Sequence, residues 1–156
     1  MAKSRIIDFC VMDKICFEPI GIIHSDYKEP VNVPRQSRGA GGKGVVELFP
    51  EFAKGLKDLE KFSHIYLIFN FHRSEGYKMI IYPRDHNQER GLFATRSPRR
   101  PSAIGISIVK LVEIKGNKIF VEDIDIIEGS PLLDIKPYIE KYDSREGAGN
   151  GWLEKG

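Results

Sequence analysis

Cysteine is scarce in this chain of 156 residues: there are two, Cys10 and Cys16, both near the N-terminus. They form no CxxC pair and no second pair follows, which excludes a thiolate zinc site and a disulfide framework. Two idle thiols in a reducing cytoplasm are the expectation. The four histidines, His24, His64, His72 and His86, make no HxH or HExxH spacing, so no metal is expected. No apolar run approaches a membrane span. The start, Met1-Ala2-Lys3-Ser4-Arg5, is followed by an apolar stretch broken by Asp8 and Asp13, unlike a signal peptide. Charge of one sign is also lacking: the formal net charge is +2, so the chain is no polycation. No GxSxG elbow surrounds Ser97 or Ser130. No GxGxxG opens a strand–turn–helix unit, and Gly39-Ala40-Gly41-Gly42 lacks the lysine–hydroxyl pair of a phosphate loop.

What is present suits one soluble domain: 41% hydrophobic and 29% charged residues. Residues 1–13 read as a loose leader, 14–145 as the domain and 146–156 as a tail. Period-two alternation and β-branched content predict strands over 17–25, 44–49, 63–72, 78–82, 107–114 and 118–125. The strand over 63–72 is the clearest, with Ile65, Leu67, Phe69 and Phe71 on one face. Lys115-Gly116-Asn117 predicts a hairpin turn. Pro50 to Leu59 predicts one short helix, with Phe52, Leu56 and Leu59 on a common face. The stretch 131–156 reads as loop with at most one helical turn near 137–141. Many short strands and little helix predict a mainly β fold, an antiparallel barrel or sandwich.

The stretch 90–107 carries Arg90, Arg96, Arg99 and Arg100 with Pro98 and Pro101, which rule out a helix. Leu92, Phe93, Ile104 and Ile106 are expected to anchor its ends in the core. A fixed loop of guanidinium groups suits a carboxylate, a phosphate or a nucleobase. Three further polar clusters lie in loops or at strand ends: Pro34-Arg35-Gln36, His72-Arg73, and Glu128-Gly129-Ser130-Pro131 followed by Asp134, Lys136 and Tyr138. An acidic pair for proton transfer could be drawn from Asp85, Asp123, Asp125, Glu128 and Asp134, but sequence brings no two of them together.

Taken in order, Pro34-Arg35-Gln36, the run Leu59 to His72, Gly91-Leu92-Phe93-Ala94-Thr95-Arg96-Ser97-Pro98 and Asp134-Ile135-Lys136-Pro137-Tyr138 resemble the TrmO-type family of S-adenosylmethionine-dependent tRNA methyltransferases, over roughly 15–145. The resemblance implies a small antiparallel β-barrel, a homodimer and a cytoplasmic enzyme. It implies S-adenosylmethionine binding through Pro34, Arg35, Gln36, His72, Arg73, Arg96, Ile106, Glu128, Gly129, Ser130 and Pro131. It implies methyl transfer to the exocyclic nitrogen of a threonylcarbamoyl-modified adenosine beside the tRNA anticodon. Arg99 and Arg100 are expected to meet RNA, and Asp134, Lys136 and Tyr138 to stand on the substrate side. The family loop usually reads Ser-Pro-His-Arg-Pro-Asn-Pro-Ile-Gly; here Arg99, Ser102 and Ala103 replace its histidine, asparagine and second proline. Glu128 and Ser130 stand for aspartate and threonine. The alternative is a non-catalytic S-adenosylmethionine-binding protein.

Overall fold

A computed structural model describes residues 15–84 and 86–154; the expected leader, with Cys10, lies outside the described residues. Its strands are β1 (Gly21–Ser25), β2 (Lys43–Leu48), β3 (His64–Asn70), β4 (Ile80–Ile81), β5 (Arg90–Gly91), β6 (Ile104–Lys115), β7 (Lys118–Glu122) and β8 (Ser130–Pro137). Six of them close into an antiparallel barrel in the order β1-β2-β7-β6-β3-β8. Closure leaves no exposed sheet edge in the barrel. β4 and β5 form a separate two-stranded ribbon inside the 71–103 connection. A single helical turn, α1 (Glu140–Asp143), follows β8.

Alternation decides which residues fill the barrel. On β3, Ile65, Leu67 and Phe69 are buried while Tyr66 and Ile68 stay partly exposed. Ile23, Val46, Val109, Ile119, Val121 and Leu132 meet them from the other strands. Each such side chain contributes roughly 1.5–3 kcal/mol by leaving water. Gly105 on β6 is needed for packing: a Cβ there would lie 2.4 Å from the Phe69 ring.

Antiparallel connectivity sorts the connections by end. The segments 26–42, 71–103 and 123–129 all emerge at the end formed by Ser25, Asn70, Glu122 and Ser130, here called the mouth. The opposite end, the base, carries the tight turn at Gly116 and Asn117, the 49–63 segment and the chain leaving β8. Ile124 and Ile126, from the 123–129 loop, are fully buried and plug the mouth.

Three expectations need correction. Residues 130–137 are not loop but the strand that closes the barrel, pairing with both β1 and β3. The helix over 50–59 is instead two 3-10 segments, Pro50–Leu56 and Leu59–Lys61. They are interrupted at Asp58, whose φ is +69°, and Phe52 is exposed while Leu56 is buried. Of the four residues expected to anchor the 90–107 stretch only Leu92 is buried, 1% exposed. Phe93 is 67% and Ile106 65% exposed, and Ile104 is exposed too. The reason is strand parity: Gly105, Ser107 and Val109 take the inward positions of β6, so Ile104, Ile106 and Ile108 must face out.

Candidate functional site

The three mouth connections are stitched together by the polar residues that stood out in the sequence. Gln36, on the 26–42 loop beside Pro34 and Arg35, accepts a hydrogen bond from the Arg96 guanidinium at 2.7 Å through its Oε1. Arg73 reaches the same loop, donating to the Lys28 carbonyl at 2.5 Å and pairing with Glu29 at 3.8 Å. His72 Nδ1 and the Ser130 hydroxyl lie 3.3 Å apart, joining the end of β3 to the start of β8. Ser130 is fully buried and donates to the Ile127 carbonyl at 2.8 Å. Gly129 turns the chain between them with φ +77°, and a Cβ there would meet nothing within 4 Å. That conformation favours glycine, and the space beside it is open.

Two carboxylates of the 123–129 loop sit in opposite surroundings. Glu128 receives the Ser25 backbone N–H at 2.6 Å and lies 3.0 Å from His24 Nδ1. Burial pushes its carboxyl up, but the bonds to His24 and Ser25 and the charges of His24 and Lys28 carry it below the ordinary value. Asp125 accepts the Ser107 hydroxyl at 2.6 Å. Burial pushes Asp125 up, against the lowering effect of Ser107, its own backbone N–H and the charge of Arg96. His72 titrates below its ordinary 6.5, first through burial and then through the neighbouring Arg73 cation, with the Asn70 backbone opposing.

The remaining expected site residues fall into distinct places. Arg99 is exposed at the tip of the loop. Arg100 is turned back: it donates to the Thr95 carbonyl at 2.8 Å and lies 5.7 Å over the Phe93 ring, so it braces the loop. Pro131 pairs opposite Ile22 on the barrel wall. Asp134, Lys136 and Tyr138 lie along β8 and just past it, away from the mouth. Lys136 pairs with Asp134 at 2.9 Å, and Tyr138 packs on Tyr66 with ring centres 5.7 Å apart. Ile106 projects from the outer face of β6, and both it and Asp134 pair with Ile68 of β3, so the three form one row across the outer wall. The structure thus joins Gln36 to Arg96 and His72 to Ser130 at the mouth, and puts Ile106 and Asp134 on a different face. Two open grooves of about 440 and 430 Å³ run along the wall, and of these residues only Glu128 and Asp134 line them.

Sequence reasoning missed Ser107 and Trp152. Ser107 was findable as a hydroxyl at an inward position of a strand. Trp152, the single tryptophan, donates its indole N–H to the Ala94 carbonyl at 2.7 Å. It stacks edge-on with His86 at 4.8 Å and lies 5.3 Å beneath the Arg90 guanidinium, so the tail is packed against the arginine connection. Nothing in the polar 144–156 stretch but that one indole points to the contact. Among the described residues no cluster of histidine, cysteine, aspartate and glutamate could hold a metal, and no helix is long and apolar enough to cross a membrane.

Residues 22–144 match the family model of the tRNA-methyltransferase O N-terminal domain. A probable S-adenosyl-L-methionine-binding protein of Pyrococcus abyssi is 55% identical over 90% of this chain and 77% of its own length. A tRNA (adenine(37)-N6)-methyltransferase of Rattus norvegicus is 39% identical over 81% of this chain and 31% of its own. The crystal structure of TrmO from Pseudomonas aeruginosa superposes with a TM-score of 0.78 at 34% identity, covering 91% of this chain and 64% of that one. The chain therefore spans less than two thirds of that solved TrmO. On the fold, the motifs and the family match together, the chain belongs to the tRNA-methyltransferase O family, S-adenosylmethionine-dependent methyltransferases built on a small β-barrel.

Proposed function

We propose that the chain is an S-adenosylmethionine-dependent methyltransferase whose acceptor is the exocyclic nitrogen of a threonylcarbamoyl-modified adenosine beside the anticodon of tRNA, in the cytoplasm. The observation that carries the reading is the convergence at the mouth of Gln36 with Arg96 and His72 with Ser130, from separate motifs of the matching family. The chemistry of these groups fits the donor. Arg96 and Arg73 suit its carboxylate. Gly129 leaves open space beside Ser130. Pro34 and Arg35 adjoin Gln36 in the chain, and Glu128 and Pro131 flank Gly129 and Ser130.

When bound, the donor supplies an electrophilic methyl on a sulfonium, so alignment is the main task left to the protein. The stitched loops hold the guanidinium groups before any ligand arrives, which lowers the ordering cost of binding. Burial and Arg73 disfavour the protonated form of His72, which limits its repulsion of a cationic sulfur. Arg99 meets phosphate, and Arg100 acts through the loop it braces. A homodimer fits the outer wall: Ile104, Ile106 and Ile108 form an exposed apolar stripe. Ile106 faces away from the mouth of its own chain, so it meets a donor bound by a second copy. Asp134, Lys136 and Tyr138, on the same wall, then flank the substrate.

The test is incubation of purified protein with labelled S-adenosylmethionine and tRNA, followed by mass analysis of the nucleosides. Methylated threonylcarbamoyl-adenosine is the expected product. The names of the archaeal relatives favour a second reading, donor binding without transfer. Donor affinity in calorimetry, with no tRNA methylated, selects that one.

A further inference from the structure

Methylating an N–H nitrogen releases a proton, and the mouth of the barrel holds a carboxylate placed to receive it. Asp125 lies between Ile124 and Ile126, both fully buried in the plug, so the backbone on either side of it is fixed by the core. The Ile126 carbonyl accepts the Ser25 hydroxyl at 2.6 Å, which clamps the loop to the end of β1. Below Asp125 is Ser107, the uppermost buried hydroxyl of β6, donating to Oδ1 at 2.6 Å. The charge of Arg96, the residue that ties two mouth loops through Gln36, acts on Asp125 only as the weakest of the influences on its carboxyl. The other carboxylates of this loop are occupied by structural bonds. Glu128 holds His24 and the Ser25 backbone, and Asp123 accepts the Gly41 N–H at 3.0 Å.

We propose that Asp125 is the proton acceptor of the methyl transfer, oriented by Ser107 and held at the mouth by the buried Ile124 and Ile126 on either side of it. The inference rests on the reading above, that the acceptor is an N–H nitrogen. In the step, a nitrogen–carbon bond forms as the carbon–sulfur bond breaks, with that electron pair left on sulfur. The N–H bond breaks with its pair retained by nitrogen, and the proton passes to the Asp125 carboxylate, which returns it to solvent between turnovers. Burial, by raising the proton affinity of Asp125, makes it a better base than an exposed aspartate, whereas Glu128 is shifted the other way. Two carboxylates whose proton affinities are shifted in opposite directions thus stand three positions apart in one loop.

The experiment compares wild type, Asp125→Asn and Ser107→Ala. For Asp125→Asn, donor affinity in calorimetry stays within about threefold, while kcat for methyl transfer falls about 100-fold or more and the acid limb of its pH profile disappears. Ser107→Ala removes a bond to the ionised form, so the acid limb moves to higher pH. The Asp125 carboxyl resonance, followed by carbon NMR in the protein without RNA, moves the same way. Should Asp125→Asn not fold, Ser107→Ala and the NMR titration decide alone. Asp125→Asn turning over within threefold of wild type, or a Ser107→Ala acid limb that stays put, overturns the proposal. Loss of the acid limb in His72→Gln but not in Asp125→Asn overturns it in favour of the histidine. A wild-type protein that methylates no tRNA removes both this inference and the function beneath it, whereas an active wild type with an indifferent Asp125→Asn removes the inference alone.

Discussion

At the base of the barrel β6 and β7 are joined by Gly116 and Asn117 alone, and Asn117 is locked to Leu48 in both directions, at 2.6 and 2.9 Å. At the mouth the barrel strands open into 26–42, 71–103 and 123–129, joined to one another by side chains and by isolated backbone bonds, such as the Glu128 N–H to the Tyr27 carbonyl at 2.9 Å, rather than by a continuous ladder. At the base, ladder pairing and a two-residue turn fix the chain, with the Asn117 side chain as a further pin. At the mouth the path of the chain depends in addition on polar side chains, among them Gln36, Arg96, His72 and Ser130. Variants at the two ends should therefore separate, the base answering in stability and the mouth in binding.

The largest effect is expected at Arg96. Arg96→Ala removes a guanidinium from the donor site and unties the 26–42 loop from the 71–103 connection, because the bond to Gln36 is lost. Donor affinity should fall at least tenfold, about 1.4 kcal/mol, with little change in melting temperature. Lys118→Ala, near the base, loses only an exposed pairing with Glu47 and should leave affinity within twofold. Calorimetry reads both, and equal losses would dissolve the distinction between the ends.

A matched glycine pair sharpens it. Gly116 at the base and Gly129 at the mouth both have positive φ, +62° and +77°, and both face open space. Gly116→Ala and Gly129→Ala should therefore each cost about 1–2 kcal/mol of stability, seen as similar drops in the denaturation midpoint. Only Gly129→Ala should also weaken donor binding, since its new methyl enters the space beside Ser130.

Trp152→Ala should be milder. It removes the indole bond to Ala94 and the ring contacts to His86 and Arg90, but leaves Leu92 anchored in the core. A loss of about 1 kcal/mol lowers the melting temperature by roughly 2–4 °C. The sharper readout is protease cleavage, which should become faster within the 71–103 connection and unchanged at the Gly116 turn.

How much of this was legible in the residues follows from the same physics. The alternation of β3 is intact, so its inward face could be read directly. β8 could not be read, because a bulge opposite Ile68 and Phe69 puts its inward residues at Leu132 and Ile135, three apart, between Pro131 and Pro137. The outer isoleucines of β6 look like core in a sequence because hydrophobicity does not say which face of a strand is wet. The pairing of Gln36 with Arg96 joins residues 60 apart, and no local pattern encodes it. Only the resemblance put those two in one site. Ala103 shows a limit of the resemblance itself: its φ of +45° is closed to the proline that the family usually has there, so the path of this loop could not be borrowed.

The smallest effect concerns His72. Burial is the main cause of its lowered titration and the Arg73 cation the second, so Arg73→Met should raise the histidine toward 6.5 without reaching it. A folded value below the unfolded one means that this group stabilises the protein above about pH 6.5 and loses that contribution as pH falls through the folded value. The variant should therefore soften the acid side of the stability profile below about pH 6.5, while the extreme acid side, governed in part by Glu128 below its ordinary value, stays as it was. Proton NMR of the His72 ring measures the first shift and thermal melts across pH measure the second. If the His72 ring titrates in Arg73→Met as it does in the wild type, the Arg73 charge does not reach the histidine and burial alone sets its lowered value.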